Sequence, residues 1–404
     1  MGAFNEFIAR KFLGVTIAPT DLAVNNIYSS ISGKSNIIDE KSSLTSSAVY
    51  ACVKNISETI ATLPIRVHNN STGYPVIESK HPVSFVVSSR PSESIGKIAF
   101  NQTLLTYALL WGNGFARITK KNSRVTSLSL KHPSLVEPFI YNGRLWYDLI
   151  TLTNSGTRES DVVSDDDMIH IQGVSLNGVY GISPIEYQSE TISIGLDATE
   201  FGANFFRNGA NMSGMLQHPK NLGEGALGRL KTQFNEQYAG NKASQKTMIL
   251  EEGMEYKRIS IPPNDAQMIE TRKYSVEDIA RIFRVPLNKL QNLDQTSYGS
   301  QEQENINWST DTLRPWVKKL EEEYSYKLFR QSERGVYSVG FNMNALLRGD
   351  TTARSEYYTK MYAMGSISAN EIREMEGFAP IDGGSADDYF VPMNLQNQNK
   401  PIED

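Results

Sequence analysis

"GISPIEYQSETISIGLDATEFGANFFRNG", residues 181–209, announces a helix at both ends. Ser183 is placed to cap it, Pro184 fits the first helical position, Glu186 completes a capping box, and Gly209 suits the C-terminal end. The pattern predicts one helix over 184–209, nearly seven turns at about 3.6 residues each.

Toward the C-terminus, residues 210–264 read as a compact insert: strand-like "SGMLQHP", the helix "GALGRLKTQFNEQYAG", then two strand-like runs around Glu251, Glu252 and Gly253. At roughly 55 residues it is too small to rely on its own core and should lean on something else. A second helix from about Asp265 to Phe283 follows, with Ile269, Val276, Ile279, Ala280 and Phe283 on one side and Pro286 as its terminator. Residues 286–300 form a polar loop rich in Asn and Gln. Beyond it, Ile306, Leu313, Val317, Leu320, Tyr324 and Leu328 lie on one stripe of a single long helix. Pro315 sits inside that helix and predicts a kink, because proline removes a backbone donor and clashes with the preceding turn.

Toward the N-terminus, residues 1–40 read as an arm that is either flexible or packed on a neighbour. Residues 41–183 mix helices with strands. Val49, Cys52, Val53, Ile56, Ile60 and Leu63 mark a helical face that Pro64 stops, and "AFNQTLLTYALLWGNG" reads as a second helix. "FARIT", "LWYDLI" and "MIHIQGV" are strand-like and separated by turn residues. The class is α+β, with no repeating βαβ unit. The tail, 349–404, predicts two helices broken at Gly365 and a mostly extended end.

At 404 residues, two or more domains are expected. A net charge of −5 argues against tight, purely electrostatic nucleic-acid binding, which rewards clustered Lys and Arg. The single cysteine, Cys52, excludes an intrachain disulfide framework, suits a reducing compartment and reads as a core thiol. No signal-peptide core and no run near the ~20 apolar residues of a membrane span appear, so a cytosolic chain with no membrane partner is expected.

No catalytic motif emerges, and a non-enzyme without cofactor or metal is expected. Five histidines, His68, His81, His132, His170 and His218, form no short-spaced ligand pair. "AGNKASQK" lacks the spacing of a phosphate loop. The run Asp165, Asp166, Asp167 reads as a solvated turn before a strand; a Mg²⁺ site, as in a metal-dependent nuclease, is the alternative. Arg272, Lys273, Arg281, Arg284 and Lys289 gather around the second helix and its loop, where a solvated face and a polyanion contact are both open.

In order, "SSAVYACVKNISETIATLP", "HPVSFVVSSRPS", "GNGFARI", "MIHIQG", "GVYGISPIEY", "FFRNGANMSGML", "MILEEGMEYKRIS", "DAQMIETRKYSVEDIARIFRVP", "YGSQEQ", "TLRPWVKKLEEEYSYKLF" and "ISANEIREMEGFAPIDGG" resemble the portal proteins of HK97-type phages, from about residue 45 to 390.

The resemblance implies a portal-like fold. Its wing would combine 41–183 with the kinked helix and following strand of 301–348. The stem would be 184–209 and 265–285, the clip 210–264, the tunnel loop 286–300, and a crown-like helical region and tail 349–404. It also implies a closed head-to-tail ring, usually of about twelve copies, at one capsid vertex. Double-stranded DNA would pass through it transiently and non-specifically. Its partners would be the large terminase, the major capsid protein, a scaffold and a head-tail connector, with assembly in the host cytoplasm and residence in the virion. On this reading Asn288, Lys289, Gln291, Asn292, Gln295, Arg281 and Arg284 face the channel, and Glu251, Glu252, Met254, Tyr256 and Lys257 of the clip meet subunits or partners. Amides there would touch phosphates without holding them, because each neutralised phosphate adds affinity that translocation must break.

Overall fold

The computed structural model describes residues 39–152, 158–207, 214–217, 228, 232, 255–258, 265–290, 304–349, 351–376 and 378–390. The chain divides into two units, residues 1–340 and 341–404.

The first unit opens with a short helix, α1 (Glu40–Ser43), capped by the Asp39 carboxylate, which accepts from Ser42 N at 2.7 Å. Helix α2 (Ser47–Thr62) buries Val49, Cys52, Val53, Ile56 and Ile60, the face its apolar spacing predicts. Burial pushes the Cys52 thiol up to about 12, so it is an inert core group. Strands β1 (Ile65–Asn69) and β2 (Val76–Ile77) pair antiparallel, and helix α3 (Pro82–Ser88) follows. Helix α4 (Lys97–Trp111) packs on α2 through Phe100, Leu104, Leu105 and Ala108. It ends at Gly112, whose φ of 74° needs a residue without a side chain.

Strands β3 (Asn113–Lys121), β4 (Arg124–Lys131) and β8 (Met168–Gln172) form an antiparallel sheet in the order β4-β3-β8. Between β4 and β8 the chain makes a separate meander, β5 (Val136–Tyr141), β6 (Arg144–Leu152) and β7 (Arg158–Ser164). The two sheets share a core of Phe115, Val136, Tyr147, Leu149, Val163 and Met168.

The helix expected over 184–209 is two helices: α5 (Pro184–Tyr187) and α6 (Ser189–Arg207), separated at Gln188, whose φ of −110° and ψ of 23° leave the helical region. The break lets α5 follow α4 while α6 follows the second long helix, α7 (Asp265–Phe283). Gly209 lies outside the described residues. In the insert, β9 (Gly214–Gln217) pairs antiparallel with β10 (Glu255–Arg258). The strand-like run before Glu251 lies outside the described residues.

Helix α7 has the bounds expected of it, and Leu287–Leu290 forms a turn of 3₁₀ helix. Residues 304–327 are helical throughout, but Trp308–Leu313 is a π-helix, and α8 (Arg314–Lys327) begins with Pro315 in its first turn. The π segment puts the missing proline donor at a place where the hydrogen-bond ladder is already shifted by one residue. It also corrects the expected stripe. The extra residue rotates Ile306 out to 47% exposure and brings Trp308 in to 6%, while Leu313, Val317, Leu320, Tyr324 and Leu328 are buried as read. Strand β11 (Tyr337–Phe341) joins the sheet in the order β11-β1-β2.

The second unit holds helices α9 (Thr351–Ala363) and α10 (Ala369–Glu376), separated at Gly365, whose φ is 66°. Glu376 ties them, accepting from Tyr358 Oη at 2.7 Å and pairing with Arg354 at 3.4 Å.

Candidate nucleic-acid interface

The C-terminal end of α7 carries the candidate contacts. Val285 N donates to Ala280 O at 2.9 Å and Arg284 N to Arg281 O at 3.2 Å, the two bonds of a Schellman cap. The residue at the left-handed position is Arg284, with φ of 54°, where glycine is the usual choice. Val285 is buried under the cap, and Arg284 is exposed. The Arg284 carbonyl accepts from Thr312 Oγ1 in a short hydrogen bond, tying the end of α7 to the π segment.

Among the channel candidates, Arg281 is exposed and paired with Asp278 one turn back. Asn288 and Lys289 lie in the 3₁₀ turn, half-buried against α2. Asn55 Nδ2 donates to the Lys289 carbonyl at 2.8 Å, and Asn288 Oδ1 is shielded from solvent with no partner among the described residues. So the segment expected as loop from 286 is built into the fold as far as Leu290. Gln291, Asn292 and Gln295 lie outside the described residues. In the insert, Tyr256 and Lys257 sit in β10 opposite Leu216 and Met215, while Glu251, Glu252 and Met254 lie outside the described residues.

At the other end of the helix pair Ser183 caps as the spacing predicts, while among the described residues the exposed Glu186 carboxylate makes no return bond to Ser183 N, so only half of the expected capping box forms. Ser183 Oγ accepts from Glu186 N at 3.2 Å and donates to Leu110 O at 2.7 Å, so one hydroxyl starts α5 and satisfies the end of α4.

The acidic run Asp165–Asp167 is the solvated turn before a strand that the sequence predicts, a 3₁₀ turn entering β8 with side chains 39%, 63% and 43% exposed. Asp165 pairs with Lys327 at 2.8 Å, Asp166 with Arg334 at 2.8 Å and Asp167 with Lys120 at 2.7 Å, so each carboxylate is also paired with a cation. Among the described residues no group of three or more His, Cys, Asp or Glu is arranged to hold a metal ion.

Behind this turn lies a buried polar chain that the sequence reading missed. Asn113 spends its Nδ2 on Gly181 O at 2.6 Å and Trp111 O at 3.1 Å, so its Oδ1 faces His170 Nε2 at 3.0 Å and requires the proton there. His170 Nδ1 is then the acceptor for Tyr147 Oη at 3.1 Å. Burial, with Lys327 nearby, holds His170 well below its ordinary value and therefore neutral. Lys327 Nζ is in turn shared by Glu323 and Asp165, each at 2.8 Å, and Met168 O at 2.8 Å. Burial raises the Glu323 carboxyl against the pull of that lysine. The chain fixes α8 to β8. Its only sequence signal is a polar residue in the apolar run "MIHIQ".

The sequence matches the model of a family described as phage portal protein over residues 47–377. It is 28% identical over 389 residues to a probable portal protein of Streptomyces phage phiC31, covering 93% of this chain and 84% of that one. To the portal protein of Enterobacteria phage HK97 it is 26% identical over 379 residues, covering 91% and 87%. Its fold is similar to a chain of the virion of a native gene transfer agent, with a TM-score of 0.59, 19% identity and coverage of 88% and 99%. It is also similar to an HK97-family phage portal protein from Corynebacterium diphtheriae, with a TM-score of 0.58, 14% identity and coverage of 78% and 99%. The α+β fold, the helix pair with its inserted two-stranded sheet and the match across 47–377 agree, and the chain belongs to the phage portal protein family.

Proposed function

We propose that this portal-family chain is one subunit of a ring at a capsid vertex, through which double-stranded DNA is packaged and ejected. The observation that carries this is the family match over 47–377, which takes in both long helices, the insert between them and the segment after α7. A neck of a native gene transfer agent, in which a similar chain occurs, was computed with C12 symmetry, and twelve copies is the subunit number proposed here. The wing, stem, clip and crown assignments follow the boundaries read from sequence. Terminase, capsid protein, scaffold and connector are the proposed partners.

The proposed DNA contact begins after Leu290 rather than at Pro286, because Leu287–Leu290 is engaged with α2. Arg284 supports a charged role at its base: a left-handed arginine costs roughly 1 kcal/mol that a glycine would not, and it sets an exposed guanidinium at the end of α7. The metal-dependent nuclease reading is set aside, since the carboxylates it needs are each paired with a cation.

The test is negative-stain imaging of purified protein with photo-crosslinkers at 291 and 292. Rings with a central hole, and DNA captured during packaging, are expected. A monomer that cleaves DNA with Mg²⁺ overturns the reading. Rings that package normally with Gln291→Ala and Asn292→Ala, and never crosslink, overturn the loop assignment alone.

A further inference from the structure

The hairpin that joins β3 to β4 turns on two residues, Asn122 and Ser123, with φ of 53° and 59°. Two left-handed residues in succession match the twist of the strands, and the turn places Lys121 and Arg124 directly opposite each other. Side chains so placed share one face of the ladder, with Cβ atoms about 5 Å apart, and like charges there oppose pairing. Both are exposed, and among the described residues neither side chain has a hydrogen-bond or carboxylate partner. A merely solvated face would spread such charges; the turn holds them together.

A third cation sits under the turn. Arg330 Nε donates to Ser123 O at 3.3 Å and its Nη2 to Asn122 O at 3.2 Å, which fixes the guanidinium by one edge. Among the described residues no carboxylate pairs with it. With Gln331, Ser332 and the two turn residues, Arg330 lines an open cleft of about 760 Å³ whose lining holds no acid. Arg124 lies on the same side: burial first, then Arg124 and Arg330, hold His81 below its ordinary value against the pull of Glu333 and Glu78. Both of those acids are engaged. Glu333 accepts from Arg330 N at 3.1 Å and lies 3.8 Å from His81 Nε2, and Glu78 accepts from Lys80 N at 3.0 Å. Asp166 and Asp167 are taken by Arg334 and Lys120. Lys121, Arg124 and Arg330 are left around one cleft as an excess of positive charge.

We propose that this hairpin tip and cleft bind an acidic peptide segment of another protein, one carboxylate bridging Lys121 and Arg124 and a second pairing with Arg330. Guanidinium groups receive carboxylates through paired, charge-assisted hydrogen bonds, and clustered arginines recur where acidic motifs are read. Duplex DNA is the poorer fit. It carries a charge every ~1.7 Å of axis and rewards cations strung along a face, whereas these three converge on one turn of a chain whose net charge is −5. The site lies outside the helix pair and the segment after it, so it does not depend on the channel reading.

Fluorescence anisotropy of a fluorescein-labelled hexaglutamate peptide, titrated with the full chain at low salt, tests this. Wild type should saturate the probe. Lys121→Ala/Arg124→Ala should weaken binding about ten-fold or more, while Lys41→Ala/Lys54→Ala, which removes the same charge from exposed positions elsewhere, should stay within about two-fold. Lys121→Glu should abolish binding yet raise Tm by about 1 °C, because it turns a repelling cross-strand pair into an attracting one. Opposite signs on binding and stability exclude a variant that merely misfolds. A wild type that never saturates, equal weakening by the two double variants, or full binding by Lys121→Glu overturns the proposal. Short duplex DNA that displaces the probe at a lower concentration, counted per charge, than unlabelled hexaglutamate overturns it in favour of nucleic acid.

Discussion

Arg284 and His170 are each held in a state that an isolated residue of their type would not choose. For Arg284 that state is a backbone angle: φ of 54° at the C-terminal cap of α7. Arg284→Gly relieves the steric cost but loosens the unfolded chain, and the balance is a gain of about 0.5 kcal/mol in urea unfolding. The same variant should weaken DNA contact, separating stability from function at one position. For His170 it is a protonation state. The fold keeps the imidazole neutral between Asn113 Nδ2-fixed geometry on one side and Tyr147 on the other, with Lys327 opposing a second positive charge. The unfolded chain takes up a proton near the ordinary 6.5. Below that pH the unfolded state therefore binds more protons than the fold, and stability falls as pH drops, by up to about 1.4 kcal/mol per unit for this group. His68, His81 and His132 are lowered too, chiefly by burial, and add the same sign. Glu323, raised by burial, partly offsets the loss as pH nears 4.5. Denaturant titrations of wild type and His170→Gln between pH 7.5 and about 5 should show the variant with the shallower slope; parallel curves would mean that His170 takes up its proton as readily in the fold as in the unfolded chain.

The junction between α7 and the π segment is the element whose behaviour follows most directly from one bond. Thr312 Oγ1 donates to the carbonyl of Arg284, and Thr312 is buried at 4% exposure. Thr312→Val keeps the shape and leaves that carbonyl without its donor, so a loss of about 1–2 kcal/mol is expected. Hydrogen exchange should quicken at 284–290 and stay unchanged in α2 and α4. Uniform quickening would mean that the bond supports the whole unit rather than this junction. The same region shows what a sequence yields and what it withholds. The apolar faces of α2 and α8 were legible because helical burial repeats every three or four residues, and Ser183 was legible because capping needs a side-chain oxygen at one fixed position. The break at Gln188 and the π turn before Pro315 were not, since each reflects what the neighbouring helices require rather than any local preference. Pro315 was read as a kink, and what the structure shows there is a π segment leading into the first turn of α8. The chain from Asn113 to Lys327 was invisible for a related reason: its members are far apart in sequence, and only the pairing of β3 with β8 and the packing of α8 join them.

Across the whole molecule the charge balance limits how the proposed channel can treat DNA. The chain carries 40 basic and 45 acidic residues, a net −5, and its basic side chains near α7 are partly spent on neighbours such as Asp278. A ring built from such subunits attracts phosphates only where a few cations project, and residues 291–300 offer the amides Gln291, Asn292 and Gln295 and no Lys or Arg. Binding strength to DNA falls with salt in proportion to the number of phosphates neutralised. One added lysine per subunit is therefore multiplied by the number of subunits that touch the duplex at once, and its effect should be much larger than that of one charge on a monomer. Asn292→Lys should slow packaging at low salt and recover toward the wild-type rate as salt rises, because screening weakens the added contacts first. Asn292→Gln, which keeps an amide, should package at the wild-type rate under both conditions. Measured as packaging velocity at two ionic strengths, a slowing that salt does not relieve would point to a blocked channel or a damaged ring. Equal velocities for lysine and glutamine would place residue 292 away from the DNA path.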